Sequence, residues 1–340
     1  MNPKISIIVP VYNVEDYVED CLRSVMNQTY MGEMECLLVD DCGTDNSMKV
    51  VGHLLERYDG PVEFRILRHE RNRGVGAARN TGTKAATGDY VFYLDSDDYI
   101  SNDCIEMLAQ PLKENPYDIV VGDYFPLGGK EMGTQLTCRE GGLIGKSAIL
   151  EVVCKQEVYV MVWNKLVSRD LIEKYNIQFL EAIIHEDIPW SFAIACVMND
   201  MCVVHKTTYY YRKREDSIML QSKKRDNDNL SREFYSYSAI LLHVLDCAKQ
   251  HDVGGKAFDA FALYLFDTVA HLAFSNKVSW IPTYRQIRKA YVYPFESVHG
   301  RINEMKAYVK LLHWKLPPFW GYVLLAMRYS IKNWKKSFRS

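Results

Sequence analysis

The sequence lacks the features that mark several broad classes of protein. Its nine cysteines form no Cys-x-x-Cys pair, and a chain of 340 residues does not need disulfides to fold, so we expect reduced thiols. It shows no signal peptide, because the apolar run after Lys4 ends already at Pro10. The longest late apolar run, from Pro317 to Met327, has 11 residues, whereas a spanning helix needs about 20. We therefore expect a cytoplasmic protein without a membrane-crossing segment.

The chain also lacks an excess of charge of one sign. Its net charge of −2 gives no overall reason to expect a nucleic acid as a partner. The charge is unevenly distributed, however, because residues 301–340 contain nine Lys or Arg and one acid, Glu304. Aromatic residues are interleaved with these bases over 311–340, which suits a peripheral helix on the inner face of the cytoplasmic membrane. The alternative is a helix that docks on the protein with its basic face in water.

What the sequence does contain is a regular alternation of strand and helix patterns over its first hundred residues. Continuous apolar runs rich in β-branched residues predict strands buried on both faces of a parallel sheet, and apolar residues at helical spacing lie between them. The predicted strands are 5–9, 36–39, 62–67 and 90–94, and the predicted helices are 14–26, 50–58 and 74–86. This alternation indicates a doubly wound α/β fold.

After residue 100 the pattern is less regular, and the last third is helical. We predict helices at 105–112 and 187–197, strands at 119–121 and 203–211, and a glycine-rich loop or irregular hairpin at 122–144. The expected domains are an α/β domain over 1–218 and a mostly helical region over 219–340. Within the first, residues 1–100 and 101–218 would form two halves.

Acidic residues follow two of the predicted strands. Asp40 and Asp41 end one strand, and Asp95, Asp97 and Asp98 follow another. Ligands bind outside the carboxyl ends of strands in open α/β sheets, so these acids are expected at one edge. Clustered carboxylates repel one another unless a cation compensates, and Mg²⁺ or Mn²⁺ would bridge them to phosphate oxygens. Asp97 and Asp98 taken alone would be solvated turn residues, but the second acidic strand end favours the cation.

An ordered series of short motifs runs through these elements and continues to about residue 218. The motifs are Ile8-Val9-Pro10-Val11-Tyr12-Asn13, Val39-Asp40-Asp41, Thr44-Asp45, Asn72-Arg73-Gly74, Arg79-Asn80, Gly82, Asp95-Ser96-Asp97-Asp98, Trp163-Asn164-Lys165-Leu166, Glu186-Asp187 and Tyr210-Tyr211-Arg212. In this order and spacing they resemble the family 2 glycosyltransferases of bacterial surface polysaccharide synthesis. The resemblance implies the GT-A fold, a Rossmann-like mixed sheet flanked by helices. It also implies inverting transfer of a sugar from a nucleotide diphosphate to an acceptor hydroxyl, with 1–100 as the nucleotide-binding half and 101–218 as the acceptor half.

The resemblance further implies a binding site for the donor, which we expect to be a UDP-sugar. Pro10, Tyr12 and Asp41, with Asp40 beside them, would line the pocket for the base and ribose. Arg79 would lie near the diphosphate, since a guanidinium suits phosphate geometry.

Four further residues would complete the donor and metal site. Asp95, with Ser96 beside it, would hold the ribose or the donor sugar, and Asp97 would ligate Mn²⁺ or Mg²⁺. Arg212 would reach the diphosphate from a loop that closes on the donor, or it would belong to a solvated basic loop.

On the acceptor side, the resemblance implies that Asp187 is the general base for a saccharide or lipid-linked saccharide. From local sequence alone, Asp187 and Glu186 would be acids at a helix start. His185 would tune the base or be structural. Trp163 would form a wall of the acceptor site or belong to the core.

Two departures from the family pattern and two alternatives accompany this assignment. Cys42-Gly43 stands where the family usually has Gly-Ser, so Gly43 is expected to give the turn its flexibility. The Gln-x-x-Arg-Trp signature of processive synthases is absent, which predicts one sugar per encounter. The string from Gly74 to Arg79 departs from the dinucleotide fingerprint, which excludes a nicotinamide dehydrogenase. A nucleotidyltransferase and a non-catalytic nucleotide-sugar-binding protein remain as alternatives.

Overall fold

A computed structural model of the chain describes residues 2–128, 136–213, 227–275, 280–290, 313 and 316–337. The chain divides into two compact units, Met1–Ser217 and Ile218–Ser340. Its nine cysteines are all free thiols, of which Cys42 alone is exposed.

The described part of the first unit contains one mixed sheet of nine strands. The strands are β1 (Ile5–Val11), β2 (Met34–Asp40), β3 (Glu63–Arg68), β4 (Tyr90–Tyr93), β5 (Tyr99–Ile100), β6 (Ile119–Leu127), β7 (Gly141–Ile144), β8 (Lys165–Ser168) and β9 (Asp200–Arg212). Their order is β3-β2-β1-β4-β8-β6-β9-β5, and β7 also pairs with β9. Strands β1 to β4 are parallel, whereas β8 is antiparallel to both β4 and β6.

Seven α-helices accompany the sheet in the described part of this unit. They are α1 (Val18–Met26), α2 (Ser47–Leu55), α3 (Val75–Ala85), α4 (Cys104–Ala109), α5 (Lys146–Cys154), α6 (Arg169–Lys174) and α7 (Asp187–Val197). A short 3-10 turn, Pro111–Lys113, follows α4. All seven residues of β1 are buried, as expected for a central strand of a parallel sheet that is covered on both faces.

The predicted alternation of the first hundred residues is confirmed, because it corresponds to β1–β4 and α1–α3. The prediction of a loop or irregular hairpin over 122–144 is partly wrong. Strand β6 continues to Leu127, and Gly141–Ile144 forms β7. Both strands hydrogen-bond to β9, and this long-range pairing outweighs the local glycine content. The short elements β8 and α6, and the helix α5, were not predicted from the sequence.

The described part of the second unit is helical, as predicted. Its helices are α8 (Asn227–Gln250), α9 (Lys256–Ser275), α10 (Ile281–Ala290) and α11 (Pro318–Ser337). Although the sequence predicted no membrane-crossing segment, one helix among the described residues, Lys256–Phe274, is long and apolar enough to cross a bilayer. More than half of it is buried inside the protein, as in the core helix of a soluble bundle. Of the predicted basic and aromatic tail, 311, 312, 314, 315 and 338–340 lie outside the described residues.

Candidate active site

The carboxyl ends of the parallel strands meet at one edge of the sheet. Val11 of β1 lies opposite Asp40 of β2, which in turn lies opposite Arg68 of β3. A cavity of about 200 Å³ opens at this edge. It is lined by Val11, Tyr12, Asn13, Asp40, Cys42, Gly43, Asp45, Ser47, Met48, Arg68 and His69. Tyr12 is 45% exposed, so its ring is accessible to a planar ligand.

The turn after β2 uses Cys42 and Gly43 differently from our expectation. Cys42 adopts the left-handed conformation (φ 60°), while Gly43 does not. The Cys42 N–H donates to Asp40 Oδ1 at 3.1 Å, which stabilises the turn. A Cβ on Gly43 would lie 3.1 Å from Asn13 Oδ1, which accepts a bond from Thr44 N–H at 2.8 Å. Gly43 therefore provides space for Asn13 rather than backbone flexibility.

Asp41 is buried, and each of its carboxylate oxygens has two partners. Oδ1 contacts His69 Nδ1 at 2.6 Å and accepts from Arg73 N–H at 2.9 Å. Oδ2 accepts from Asn72 Nδ2 at 3.0 Å and from Gly74 N–H at 2.8 Å. Asp41 therefore fixes the loop that leads into α3.

Of the four residues predicted to line the base and ribose pocket, two line the cavity and two do not. Tyr12 and Asp40 line the cavity, as expected. Pro10 is buried within β1, and Asp41 is held by the loop before α3, so both lie outside the cavity lining. Their expected place in the base and ribose pocket stays a prediction. His69, which sequence reasoning missed, takes a place in the lining.

Arg79 on α3 joins two acids that are distant in sequence. Its Nη2 donates to Asp95 Oδ1 at 2.7 Å, and its Nη1 donates to Glu186 Oε1 at 2.5 Å. Burial lowers the pKa of Arg79, but the Asp95 and Glu186 carboxylates outweigh this effect and raise it overall. In this structure two of the five N–H donors of the guanidinium bond to protein acids, and the expected place of Arg79 near the diphosphate stays a prediction. Arg79 holds Asp95 and Glu186 together.

The close approach of α3 to the segment before α7 makes this bridge possible. A Cβ on Gly76 would lie 2.8 Å from the carbonyl oxygen of Leu180, so only glycine permits the observed packing. One helical turn later, the Asn80 amide bonds to both backbone groups of Phe179, at 2.8 and 3.0 Å. Gly76 and Asn80 therefore set the distance over which Arg79 reaches Glu186.

Asp187 is the first residue of α7. Its Oδ1 accepts from the Ile188 N–H at 3.0 Å. Burial raises the pKa of Asp187, while the charges of Arg79 and Lys165 lower it. Burial also raises the pKa of Glu186, against the effect of Arg79. Half-buried His185 precedes the pair in a left-handed conformation (φ 61°).

A second group of acids follows β4. Asp98 is buried, and it accepts bonds from Tyr209 Oη at 2.6 Å and from Arg212 N–H at 2.7 Å. Burial, followed by the charges of Asp97 and Asp95, raises the pKa of Asp98 to about 9. These three carboxylates are therefore close enough to repel one another. Ser96, between Asp95 and Asp97 in sequence, is buried.

Two further predicted residues have contacts that change their expected roles. Trp163 is 3% exposed and stacks on Tyr209 with 4.4 Å between ring centroids, which favours the core role over the acceptor wall. Arg212 Nη2 contacts Asp20 Oδ2 at 3.0 Å, and its guanidinium lies over the Tyr17 ring. In this structure the Arg212 side chain is thus directed to α1.

The sequence profile of glycosyl transferase family 2 matches residues 6–175. TarP of Staphylococcus aureus, a poly(ribitol-phosphate) beta-N-acetylglucosaminyltransferase, is 30% identical over 74% of this chain and 77% of its own length. The uncharacterized glycosyltransferase EpsJ of Bacillus subtilis is 29% identical over 72% of this chain and 71% of its own.

The fold is also that of a solved glycosyltransferase structure. Residues 1–349 of S. aureus TarS, crystallised with UDP-GlcNAc, superpose with a TM-score of 0.72 at 21% identity, covering 97% of this chain and 92% of the TarS chain. The mixed sheet with flanking helices is therefore the expected GT-A fold. The site geometry, the profile and these relatives agree, and the chain belongs to glycosyl transferase family 2.

Proposed function

We propose that this glycosyltransferase transfers a sugar from a UDP-sugar to an acceptor hydroxyl with inversion at the anomeric carbon, and that Asp187 is its general base. The observation that carries the proposal is the Arg79 bridge. It ties Asp95, at the end of β4, to Glu186, the residue before Asp187, with contacts of 2.7 and 2.5 Å. The donor edge of the sheet and the start of α7 therefore belong to one site.

The cavity beside β1 and β2 supports a nucleotide donor. Tyr12 offers an accessible ring to the base, and Asp40 offers carboxylate oxygens to its N–H group. TarS was crystallised with UDP-GlcNAc and TarP is an N-acetylglucosaminyltransferase, which supports a UDP-linked hexosamine among the candidate donors. TarP acts on poly(ribitol-phosphate), and this supports an acceptor of the cell-surface polymer class, whether a saccharide or a lipid-linked saccharide.

The acids after β4 suit a divalent cation that binds together with the donor. Among the described residues, no three His, Cys, Asp or Glu side chains are arranged to hold a metal by themselves. Mg²⁺ and Mn²⁺ need only one or two carboxylates when diphosphate oxygens complete the coordination. The family pattern gives this role to Asp97, and the charges of Asp97 and Asp95 both act on the buried Asp98 beside them. Bound there, the cation would neutralise charge on the departing diphosphate.

The transfer step is a single displacement. The acceptor hydroxyl gives its proton to the Asp187 carboxylate, its oxygen bonds to the anomeric carbon, and the bond from that carbon to the diphosphate breaks. Burial raises the pKa of Asp187, and a base whose pKa lies nearer the working pH accepts a proton more effectively.

A panel of UDP-sugars with Mn²⁺ and a surface-polymer acceptor tests the proposal. Asp187→Asn should lower transfer by about 10³-fold and leave donor binding unchanged, because a general base contributes roughly 10²- to 10⁴-fold. Asp170→Asn is the matched control, since that side chain is 89% exposed. Retention of transfer by Asp187→Asn would show that the base is wrongly assigned. Pyrophosphate release would identify a nucleotidyltransferase, and donor binding without transfer a non-catalytic binder.

The metal and the stereochemistry have their own readouts. Excess EDTA should abolish transfer and Mn²⁺ should restore it, while Asp97→Asn should prevent that restoration. Undiminished turnover in EDTA would remove the cation from the proposal. The anomeric configuration of the product, read by NMR, should be opposite to that of the donor, and retention would contradict a single displacement.

Helix α11 supports peripheral membrane contact at the cytoplasmic face. Phe319 and Trp320, in its first turn, are 51% and 60% exposed, and the 301–340 segment that contains them is strongly basic. The double variant Phe319→Ser, Trp320→Ser should weaken sedimentation with phosphatidylglycerol vesicles. Tyr264→Ser, at a 53% exposed tyrosine on α9, should not. Equal binding by all three proteins would contradict membrane contact through α11.

A further inference from the structure

Lys165 belongs to one of the motifs of the family, yet none of the assigned roles uses it. It is the first residue of β8 and is 4% exposed. Its Nζ donates to the carbonyl oxygen of Tyr159 at 2.8 Å and to that of Met161, and it lies 4.4 Å from the centroid of the Tyr159 ring. Burying an amine is costly, so a lysine retained in such a place calls for a physical explanation.

The segment that holds Lys165 is itself attached to α7. The Ser191 hydroxyl donates to the carbonyl oxygen of Val160 at 2.5 Å. Lys165 lines a small cavity together with Trp190 and Ser191, which lie about one helical turn after Asp187. The lysine is therefore beside the first turn of the helix that presents the base.

The charges around Asp187 come from three elements. Arg79 approaches from α3, Lys165 from β8, and Glu186 precedes Asp187 in its own turn. The Arg79 guanidinium is already shared between Asp95 and Glu186. The described hydrogen bonds of Lys165, by contrast, go to neutral carbonyl groups. Among the described contacts, Lys165 is therefore the cation near Asp187 that is not already paired with another carboxylate.

We propose that Lys165 is a positioning residue of the transfer reaction, whose ammonium group stabilises the carboxylate form of Asp187 from within the protein. This inference rests on the proposed role of Asp187 as the base. A positive charge near a helix N-terminus is unfavourable in itself, and its attraction to the acid at that terminus offsets the cost.

The protonation of Lys165 gives the proposal a pH dependence. Burial lowers the pKa of Lys165 to about 7, against the charge of Asp187, which raises it. Below that pH the ammonium supports the Asp187 carboxylate, and above it the support is lost. Both the ammonium and the neutral amine can donate to the two carbonyl groups, so the loop need not change when the proton leaves.

Two variants separate the charge of Lys165 from its hydrogen bonds. Lys165→Gln keeps N–H donors for the Tyr159 and Met161 carbonyl groups and removes the charge, whereas Lys165→Met removes both. The first readout is the carboxyl ¹³C NMR signal of Asp187 in protein labelled at aspartate, assigned with Asp187→Asn and followed against pH. The second is the acid limb of kcat/KM against pH. In Lys165→Gln both should move to higher pH, by roughly one unit, as expected when an opposite charge is removed.

The outcomes distinguish this inference from the proposed function. The inference is overturned if folded Lys165→Gln leaves both the Asp187 titration and the acid limb unshifted and only Lys165→Met loses activity. Lys165 would then serve only to hold the loop. Transfer by Asp187→Asn would instead refute the base, while the NMR comparison would still decide whether Lys165 acts on Asp187. If Lys165→Gln does not fold, the NMR titration of the wild-type protein tests the inference instead. Its Asp187 signal must show a second inflection where Lys165 loses its proton, and a single inflection overturns the inference.

Discussion

Asp41 and Asp98 differ sharply, although both are buried acids that follow a parallel strand of the same sheet. The two oxygens of Asp41 have four partners, from His69, Asn72 and the backbone N–H groups of Arg73 and Gly74. Asp98 accepts two bonds and is also close to two other carboxylates, and these effects, added to burial, raise its pKa to about 9.

The difference teaches that an acid at a strand end has two distinct uses. A carboxylate surrounded by donors is a structural element, because its charge is spread over the bonds it accepts. A carboxylate among other carboxylates carries uncompensated negative charge, and a cation or a proton must neutralise it. The first arrangement holds the loop before α3, and the second is the arrangement that the proposed cation site would need.

The largest expected effect is on the structural acid. Asp41→Asn replaces one carboxylate oxygen by an NH₂ group, which then faces at least one N–H donor wherever the amide is turned. Each unsatisfied buried group costs about 1–3 kcal/mol, so we expect the free energy of unfolding to fall by about 3 kcal/mol. Chemical denaturation measures it, with Asp40→Asn as the control, because one described N–H bond, from Cys42, reaches that carboxylate. Equal, small losses in both variants would contradict the structural role of Asp41.

Asp98→Asn should raise the free energy of unfolding, whereas Asp41→Asn should lower it. Asp98 keeps its proton in the folded state up to about pH 9, whereas an unfolded aspartate loses it near pH 4. Folded wild type therefore loses stability relative to the unfolded chain as pH rises between these values. The asparagine variant does not, so it should match wild type at pH 4 and exceed it by at least about 1 kcal/mol at pH 7 in metal-free buffer. A variant less stable than wild type at both pH values would refute this assignment.

The sequence predicts the position of the acids at the edge of the sheet better than it predicts their hydrogen-bond partners. Apolar runs and their spacing predicted β1 to β4, and parallel strands place their carboxyl ends together, so the acidic edge followed from local patterns. The partners of Asp41 lie some thirty residues away in a loop, and no periodicity reveals which donors turn toward it. The same holds for Trp163, whose stacking on Tyr209 depends on β8 and β9 lying on either side of β6 in the sheet. The Arg79 bridge depends on the approach of α3 to Glu186, which local patterns do not determine.

A third buried aspartate, Asp123, differs from both Asp41 and Asp98, because a histidine lies against its carboxylate. Asp123 Oδ2 contacts His205 Nδ1 at 2.9 Å, and His205 Nε2 contacts the carbonyl oxygen of Cys138 at 3.0 Å. The Asp123 carboxylate faces one ring nitrogen and the Cys138 carbonyl faces the other, an arrangement that favours the protonated imidazole. The bond with Asp123 raises the pKa of His205, and burial opposes the rise.

The smallest expected effect concerns this pair and its pH dependence. Because the folded pKa of His205 is raised, its contribution to stability is complete below the unfolded value of about 6.5 and is lost as pH rises through the folded value. His205→Gln should therefore destabilise the protein by about 1 kcal/mol or less at pH 5.5, and by a smaller amount at pH 8.5. His53→Gln, at an exposed position on α2, serves as the control in the same denaturation series. A deficit in His205→Gln that grows with pH would contradict compensation of the Asp123 charge by a protonated histidine.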